Sequence, residues 1–319
     1  MFNYYKICFG ILLLTCIKTQ VCAYDENTVS EIVIKAPIGS GDGQIGYKEF
    51  SPDAWVEPAA IAIDSKGNVY VADTMNERIQ KYNNEGGYLY KIAITTPLKR
   101  TNEYANDITV DGNDDLYVFI KNARLIYKFS ASGKLVQTIT YSSLLDAEKI
   151  IIDSQGQIYL YGDVVNSLYK LSKSGVIEND WHNVASFFLD TDGNLLLSSN
   201  KVNWEKYDKN GKLIGPTVCD KENMRVYSPT AEGGGCHFPP QFVDKNGNRY
   251  FLRNEEKPKK LTSALIFDRT GKFIKKIIMP FSADIYPQSN MVKFGKDGNF
   301  YAEYGHIQEG FQLMRLKLQ

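Results

Sequence analysis

The chain is short of the residues by which most enzymes and metal proteins announce themselves. It holds three histidines and five cysteines in 319 residues. No His-Glu-x-x-His, Gly-x-Ser-x-Gly, Cys-x-x-Cys, phosphate-loop or EF-hand spacing occurs, so no signature marks it as a zinc protease, serine hydrolase, dithiol redox protein, nucleotidase or calcium hand. An excess of either charge is also missing, with 37 basic against 37 acidic residues. Nucleic-acid binding relies on a strong basic excess, and no such partner is expected. Beyond residue 23 no stretch approaches the roughly 20 apolar residues of a spanning helix. No long window there has helical periodicity. The absence of any Asn-x-Ser/Thr acceptor favours a bacterial over a eukaryotic secreted protein.

The N-terminus supplies Lys6, the apolar run from Cys8 to Cys16 and the small-residue site Val21-Cys22-Ala23. That order is a secretory signal peptide over residues 1–23, with the mature chain starting near Tyr24. Secreted or periplasmic placement is expected. The alternative is lipid attachment at Cys16, although Thr15 is bulkier than the residue such sites usually carry there. After cleavage only Cys219 and Cys236 remain, and an even pair in an oxidising compartment reads as a disulfide.

Residues 24–319 repeat six times. Each unit has an apolar strand, a turn centred on Gly-Asn or a relative, a Tyr-rich strand, a variable gap, a strand of alternating apolar and charged residues, and a second Gly turn. The first turn is Asp64-Ser65-Lys66-Gly67-Asn68, Asp111 to Asp115, Asp153 to Gln157, Asp190 to Asn194, Asp244 to Asn248 and Gly295 to Asn299. The second is Asn84-Glu85-Gly86, Ala131 to Lys134, Lys173-Ser174-Gly175, Lys209 to Lys212 and Arg269 to Lys272. Gly beside Asp or Asn is hairpin chemistry, because the loop needs positive φ and an Asx side chain to bond the backbone. Four strands in each of six units predict an all-β, six-bladed β-propeller of four-stranded antiparallel blades, in one domain over residues 24–319. The sixth unit ends one strand short. The apolar segment Glu31 to Ala36 is predicted to complete it by pairing antiparallel with Phe311 to Leu318, so that no strand edge is left open.

In Ile38 to Gln44 followed by Glu57 to Tyr82 (EPAAIAIDSKGNVYVADTMNERIQKY), the chain resembles the NHL-repeat family. The Asp-x-x-Asn-x-Arg signature is complete as Asp73, Asn76 and Arg78. Later units depart from it: Asp114 stands where the turn glycine belongs, and Gly295 where the leading Asp belongs. The resemblance implies a propeller, and implies little about activity, since NHL propellers serve as binding modules, RNA binders and, in some families, lyases.

Gly41-Asp42-Gly43-Gln44-Ile45-Gly46 matches a dinucleotide fingerprint formally. No helix can follow it through Tyr47 to Pro58, so it reads as the linker into the first unit. Asp73 and Arg78 are expected to fasten the ends of the second-to-third gap. Strand alternation puts both Gly turns at one end of each unit and the variable loops at the other, where binding sites usually sit. All three histidines, His182, His237 and His306, map to that loop-rich end. The longest insertion, Pro216 to Phe238, carries both mature cysteines, Arg225 and Tyr227, while Arg253 to Ala264 is a charged gap. Trp55, Tyr104, Trp181, Tyr227, Phe238 and Tyr304 lie in or beside variable loops. No serine or cysteine stands out as a partner for any histidine.

The reading that follows is a monomeric, non-catalytic scaffold, without cofactor, that binds protein, peptide or glycan through Trp181, His182, Arg225, Tyr227, His237 and His306. The alternative is a metal-assisted lyase or hydrolase at the channel mouth, with Zn²⁺ or Ca²⁺ on His182, His237 and His306 and with Arg78 or Arg225 binding an anionic substrate.

Overall fold

The computed structural model describes residues 30–51, 54–97, 103–142, 146–153, 155–162, 166–184, 186–189, 194–199, 204–217, 242–243, 248–255, 261–268, 273–282, 291–303 and 310–317. The predicted signal peptide, Cys219, Arg225, Tyr227, Cys236, His237 and His306 lie outside these residues.

Among the described residues the chain builds six four-stranded antiparallel sheets. Sheet one is β4 (Ile61–Ile63), β5 (Val69–Asp73), β6 (Arg78–Tyr82) and β7 (Tyr88–Ala93). Sheet two is β8 (Asp107–Val110), β9 (Leu116–Ile120), β10 (Leu125–Phe129) and β11 (Leu135–Thr140). Sheet three is β12 (Lys149–Ile152), β13 (Ile158–Gly162), β14 (Ser167–Leu171) and β15 (Ile177–Trp181). Sheet four is β16 (Ser186–Leu189), β17 (Leu195–Ser198), β18 (Trp204–Tyr207) and β19 (Leu213–Thr217). Sheet five is β20 (Phe242–Val243), β21 (Arg249–Glu255), β22 (Leu261–Phe267) and β23 (Phe273–Ser282). Sheet six takes β24 (Val292–Phe294), β25 (Phe300–Glu303) and β26 (Phe311–Leu316), then β1 (Ser30–Ala36) as its fourth strand. A short hairpin, β2 (Lys48–Ser51) with β3 (Ala54–Val56), lies between β1 and sheet one.

The N-terminal strand pairs as expected: Ser30 faces Leu316 and Ala36 faces Phe311. Ile34 and Ala36 are buried by it, and Arg315 of β26 binds Glu31 at 2.5 Å.

Apolar clusters join the sheets in series. Ile108 and Val110 pack with Ala60 and Tyr70 between sheets one and two. Ile126 and Ile139 meet Ile150 and Leu160 between two and three, and Tyr159 and Leu168 meet Leu195 and Leu197 between three and four. Tyr250 and Ile266 pack on Phe300 and Met314 between five and six. The cluster of Ile61, Val71, Tyr301 and Phe311 joins six back to one. Each fully buried Ile, Leu or Phe is worth about 1.5–3 kcal/mol, so these inter-sheet layers carry most of the stability.

The repeated turns follow from their side chains. Asp64, Asp111 and Asp153 each accept two backbone N–H groups of their own turn, as with Lys66 N at 3.0 Å and Asn68 N at 2.9 Å for Asp64. A lysine on the third strand faces a tyrosine on the second in three successive sheets: Lys81 and Tyr70, Lys128 and Tyr117, Lys170 and Tyr159. Lys81 and Lys128 reach the turn aspartates Asp64 and Asp111, each at 3.1 Å. Asp114 adopts φ 65° where the other units have glycine, and its carboxylate accepts Ser65 N at 2.9 Å and Ser65 Oγ at 2.5 Å from the neighbouring turn. That link offsets the strain and ties sheet one to sheet two.

Candidate functional site

At the loop-rich end the signature residues do more than fasten one gap. Asp73, fully buried, binds Arg78 Nε at 2.7 Å and also accepts Asn76 Nδ2 and Gly46 N. Arg78 donates onward to the carbonyls of Ser40, Gly41 and Gln44 at 2.8 to 2.9 Å. Gln80 accepts Gly43 N at 2.9 Å, and Asn76 donates to the Gly39 carbonyl at 2.9 Å. The loop 39–46 therefore has its backbone groups bonded to sheet one, and Tyr47 at its end is held in place.

Tyr47 donates its hydroxyl to Glu303 Oε1 at 2.9 Å. Glu303 ends β25 and occupies the position that Ala72, Phe119, Tyr161 and Ser198 hold in sheets one to four. Burial pushes its carboxyl up to about 7, helped by the charge of Glu57 and opposed by the Tyr47 hydrogen bond. Burial raises Glu57 as well, and it raises the Tyr47 phenol together with the Glu303 charge. A carboxyl that titrates near neutrality can hold or release a proton under working conditions.

A second buried acid opens the inner strand of sheet two. Asp107 accepts Ile108 N at 2.9 Å and, from sheet three, Ile150 N at 3.0 Å. Lys293 on the inner strand of sheet six approaches it to 3.6 Å. Burial raises the proton affinity of Asp107, against the charges of Lys293 and Lys149 and its two backbone bonds. Three carboxyls with raised affinity, Glu57, Asp107 and Glu303, thus stand near inner-strand ends on the loop-rich side. Perturbed acids of this kind concentrate at functional sites.

Two residues expected from the sequence, Trp181 and His182, sit at the outer edge between sheets three and four. Trp181 packs edge-on against Tyr207, ring centroids 5.7 Å apart. His182 has the partners that the sequence did not reveal: Nδ1 meets Ser167 Oγ at 2.9 Å and Nε2 meets Asp180 Oδ2 at 3.2 Å. The imidazole is open to solvent, whereas Ser167 is 2% exposed, so a substrate cannot reach its hydroxyl. The serine orients the ring, and the trio is not a nucleophilic triad. Among the described residues no group of three His, Cys, Asp or Glu side chains is placed to hold a metal.

The sequence reading missed Glu303, Tyr47 and Asp107. For Glu303 and Asp107 the signal was available in the repeat, where each carboxylate stands at a position that sheet one fills with alanine, Ala72 and Ala60; Tyr47 lies in the linker, outside the repeat.

Residues 56–82 match the family model described as NHL repeat. No curated protein matches the chain. Among solved structures, a Bacteroides caccae protein of unknown function is similar at 12% identity with TM-score 0.48, covering 70% of this chain and 82% of that one. Virginiamycin B lyase from Staphylococcus aureus is similar at 14% identity with TM-score 0.46, covering 94% of both chains. A streptogramin B lyase is similar at 16% identity with TM-score 0.46, covering 85% of this chain and 81% of that one. The chain carries an NHL repeat at residues 56–82, set in an all-β series of four-stranded antiparallel sheets.

Proposed function

We propose that the chain is an exported six-bladed propeller, its ring closed by β1, that binds a protein, peptide or glycan at the loop-rich end. The observation that carries this reading is the contrast between the two ends. At the Gly-turn end the carboxylates of Asp64, Asp111 and Asp153 each accept two backbone N–H groups of their own turn, and two of them are also paired with lysines. At the loop-rich end Glu303 keeps a proton near neutrality, and Trp181 and His182 present partly or fully exposed rings. Arg225, Tyr227, His237 and His306 are assigned to the same end by their place in the repeat. A Cys219–Cys236 disulfide would reduce the ordering cost of the insertion. It would close a loop of about 17 residues, worth on the order of 3 kcal/mol.

Peptide and glycan arrays probed with the mature protein test this. A hit that weakens in Trp181→Ala and His182→Ala, and survives Lys66→Ala and Gln155→Ala, is the expected result. A hit sensitive only to the Gly-turn changes would move the site to the other end. The metal-assisted lyase or hydrolase remains the second reading, because Glu303 can serve as an acid or base. Stoichiometric Zn²⁺ or Ca²⁺ in purified protein, lost on changing His182, His237 and His306, would establish it in place of the scaffold.

A further inference from the structure

We propose that the outer rim of the Gly-turn end is a docking surface for an anionic membrane. Among the described residues ten large apolar side chains are exposed, and eight of them recur at one place in the repeat. They lie just behind the second Gly turn, at the start of the outer strand: Leu89, Leu135, Val136, Val176, Ile177, Leu213, Ile214 and Ile274. Leu135 and Val136 are 48% and 57% exposed, and Leu213 and Ile214 are 50% and 54% exposed. A scattered surface leucine needs no explanation, but the same exposure in five successive sheets does.

The local cause is visible. The register between third and outer strands shifts at this point in sheets one to five, so the outer strand carries a bulge there. A bulge sets two consecutive side chains against one partner residue and turns both toward the same side. In sheets two and four that pair is aliphatic, Leu135 with Val136 and Leu213 with Ile214, and faces solvent; in sheet three it is Ile177 with Glu178, and the second exposed aliphatic side chain there, Val176, stands one residue earlier.

Charge names the occupant. Lys134, Lys173, Lys209 and Lys212 flank these pairs, are exposed, and make no ion pair among the described residues. Of the acids at the same end, Asp64 and Asp111 are engaged inward by Lys81 and Lys128, Asp208 accepts two backbone N–H groups of its own turn, and Glu178 pairs with Lys170. Among the described residues that leaves Glu85 of the second turns, exposed, against the four lysines, so the rim carries a net positive charge. Sheets one to four pack in series, and in the proposed propeller equivalent positions of successive blades fall at one height, so that the lysine-aliphatic sectors share a plane. A small ligand would touch one sector only. A bilayer interface, with anionic headgroups above an apolar layer, meets all of them, and weak sectors then add. The inference rests on export and on the packing of sheets one to four, and it does not depend on what the loop-rich end binds. Docked this way, the molecule would turn its loops away from the membrane.

The test is flotation of the mature protein with vesicles of phosphatidylcholine, with and without phosphatidylglycerol, at low and high salt. The protein should float with the phosphatidylglycerol vesicles only, and salt should release it. Each lysine near the surface is worth about fivefold in partitioning, so Lys134→Glu with Lys212→Glu should weaken it more than roughly twentyfold. Val136→Ser with Leu213→Ser and Ile214→Ser should also abolish flotation while leaving the melting temperature and the array hits of the loop-rich end unchanged. No flotation, flotation unaffected by both sets, or a wild-type dimer that the serine variant dissociates would each overturn the proposal. The last outcome would make the rim a contact between copies.

Discussion

Arg78 shows how one side chain can organise a loop from a distance in sequence. Its guanidinium is buried, pairs with the buried Asp73 and spreads its remaining donors over three loop carbonyls. Arg78→Met would leave the Asp73 charge without its cation in the interior, a change that typically costs about 3–5 kcal/mol. Urea denaturation should register that loss, and a loss under about 1 kcal/mol would show that the loop is held by other means. Two glycines separate backbone strain from close approach. Gly156 has φ 76° with open space around it, whereas Gly175 has φ 88° and a methyl there would meet the Thr140 carbonyl oxygen at 2.1 Å. Gly156→Ala should therefore cost about 1–2 kcal/mol, the left-handed strain alone. Gly175→Ala should cost at least about 2 kcal/mol more in the same denaturation series, because β11 must move. The signature Asp73, Asn76 and Arg78 was legible as polar chemistry in the sequence. Its target, residues 39–46, was not, since no periodicity links a turn to a loop 30 or more positions away.

At the scale of the element, period-two strands and Asx-Gly turns were enough to place the sheets, because both signals are local. Closure of the last sheet was also legible, since a β-branched segment without a unit and a unit without a strand require one another. What strand patterns could not give was the side-chain partnership between sheets. Lys293 of sheet six comes to Asp107 of sheet two, which also accepts Ile150 N from sheet three, and within sheet three Ser167 reaches His182 from the adjacent strand. The closure has a direct test in deletion of residues 24–36. Ile34 and Ala36 lose their packing, and Arg315 and Lys317 lose Glu31, whose carboxyl they hold below its ordinary value against its partial burial. Several kcal/mol at roughly 2–4 °C each should lower the melting temperature by about 10 °C or more. The free edge of β26 should promote aggregation, and replacing residues 256–260 by a glycine-serine segment of equal length should do neither. A shift below about 3 °C would mean that sheet six does not need its fourth strand.

For the molecule as a whole, the buried acids give stability a dependence on pH that a near-neutral chain would otherwise lack. Glu303 is the main term, because burial beside Glu57 lifts it from an ordinary 4.5 to about 7. A raised carboxyl binds more protons folded than unfolded, so stability falls as pH rises from about 4.5 to about 7 and is level above that. Glu57 and Asp107, also raised by burial, act in the same direction. Glu31 is lowered, and its contribution is present above its ordinary value and lost only as pH falls below it, which leaves the window between 4.5 and 7 to the raised groups. The full Glu303 shift corresponds to about 3 kcal/mol across that window. Glu303→Gln keeps the shape and an acceptor for the Tyr47 hydroxyl but cannot ionise. Denaturant titrations at pH 5 and pH 8 should show the wild type less stable at the higher pH by up to about 3 kcal/mol, and the variant with most of that difference removed. Tyr47→Phe should move the midpoint of the decline upward, because the bond it deletes is the one that favours the carboxylate. If Glu303→Gln retains the full wild-type slope, Glu303 is ionised like an ordinary surface acid, and the loop-rich end loses the group that would make it responsive to protons.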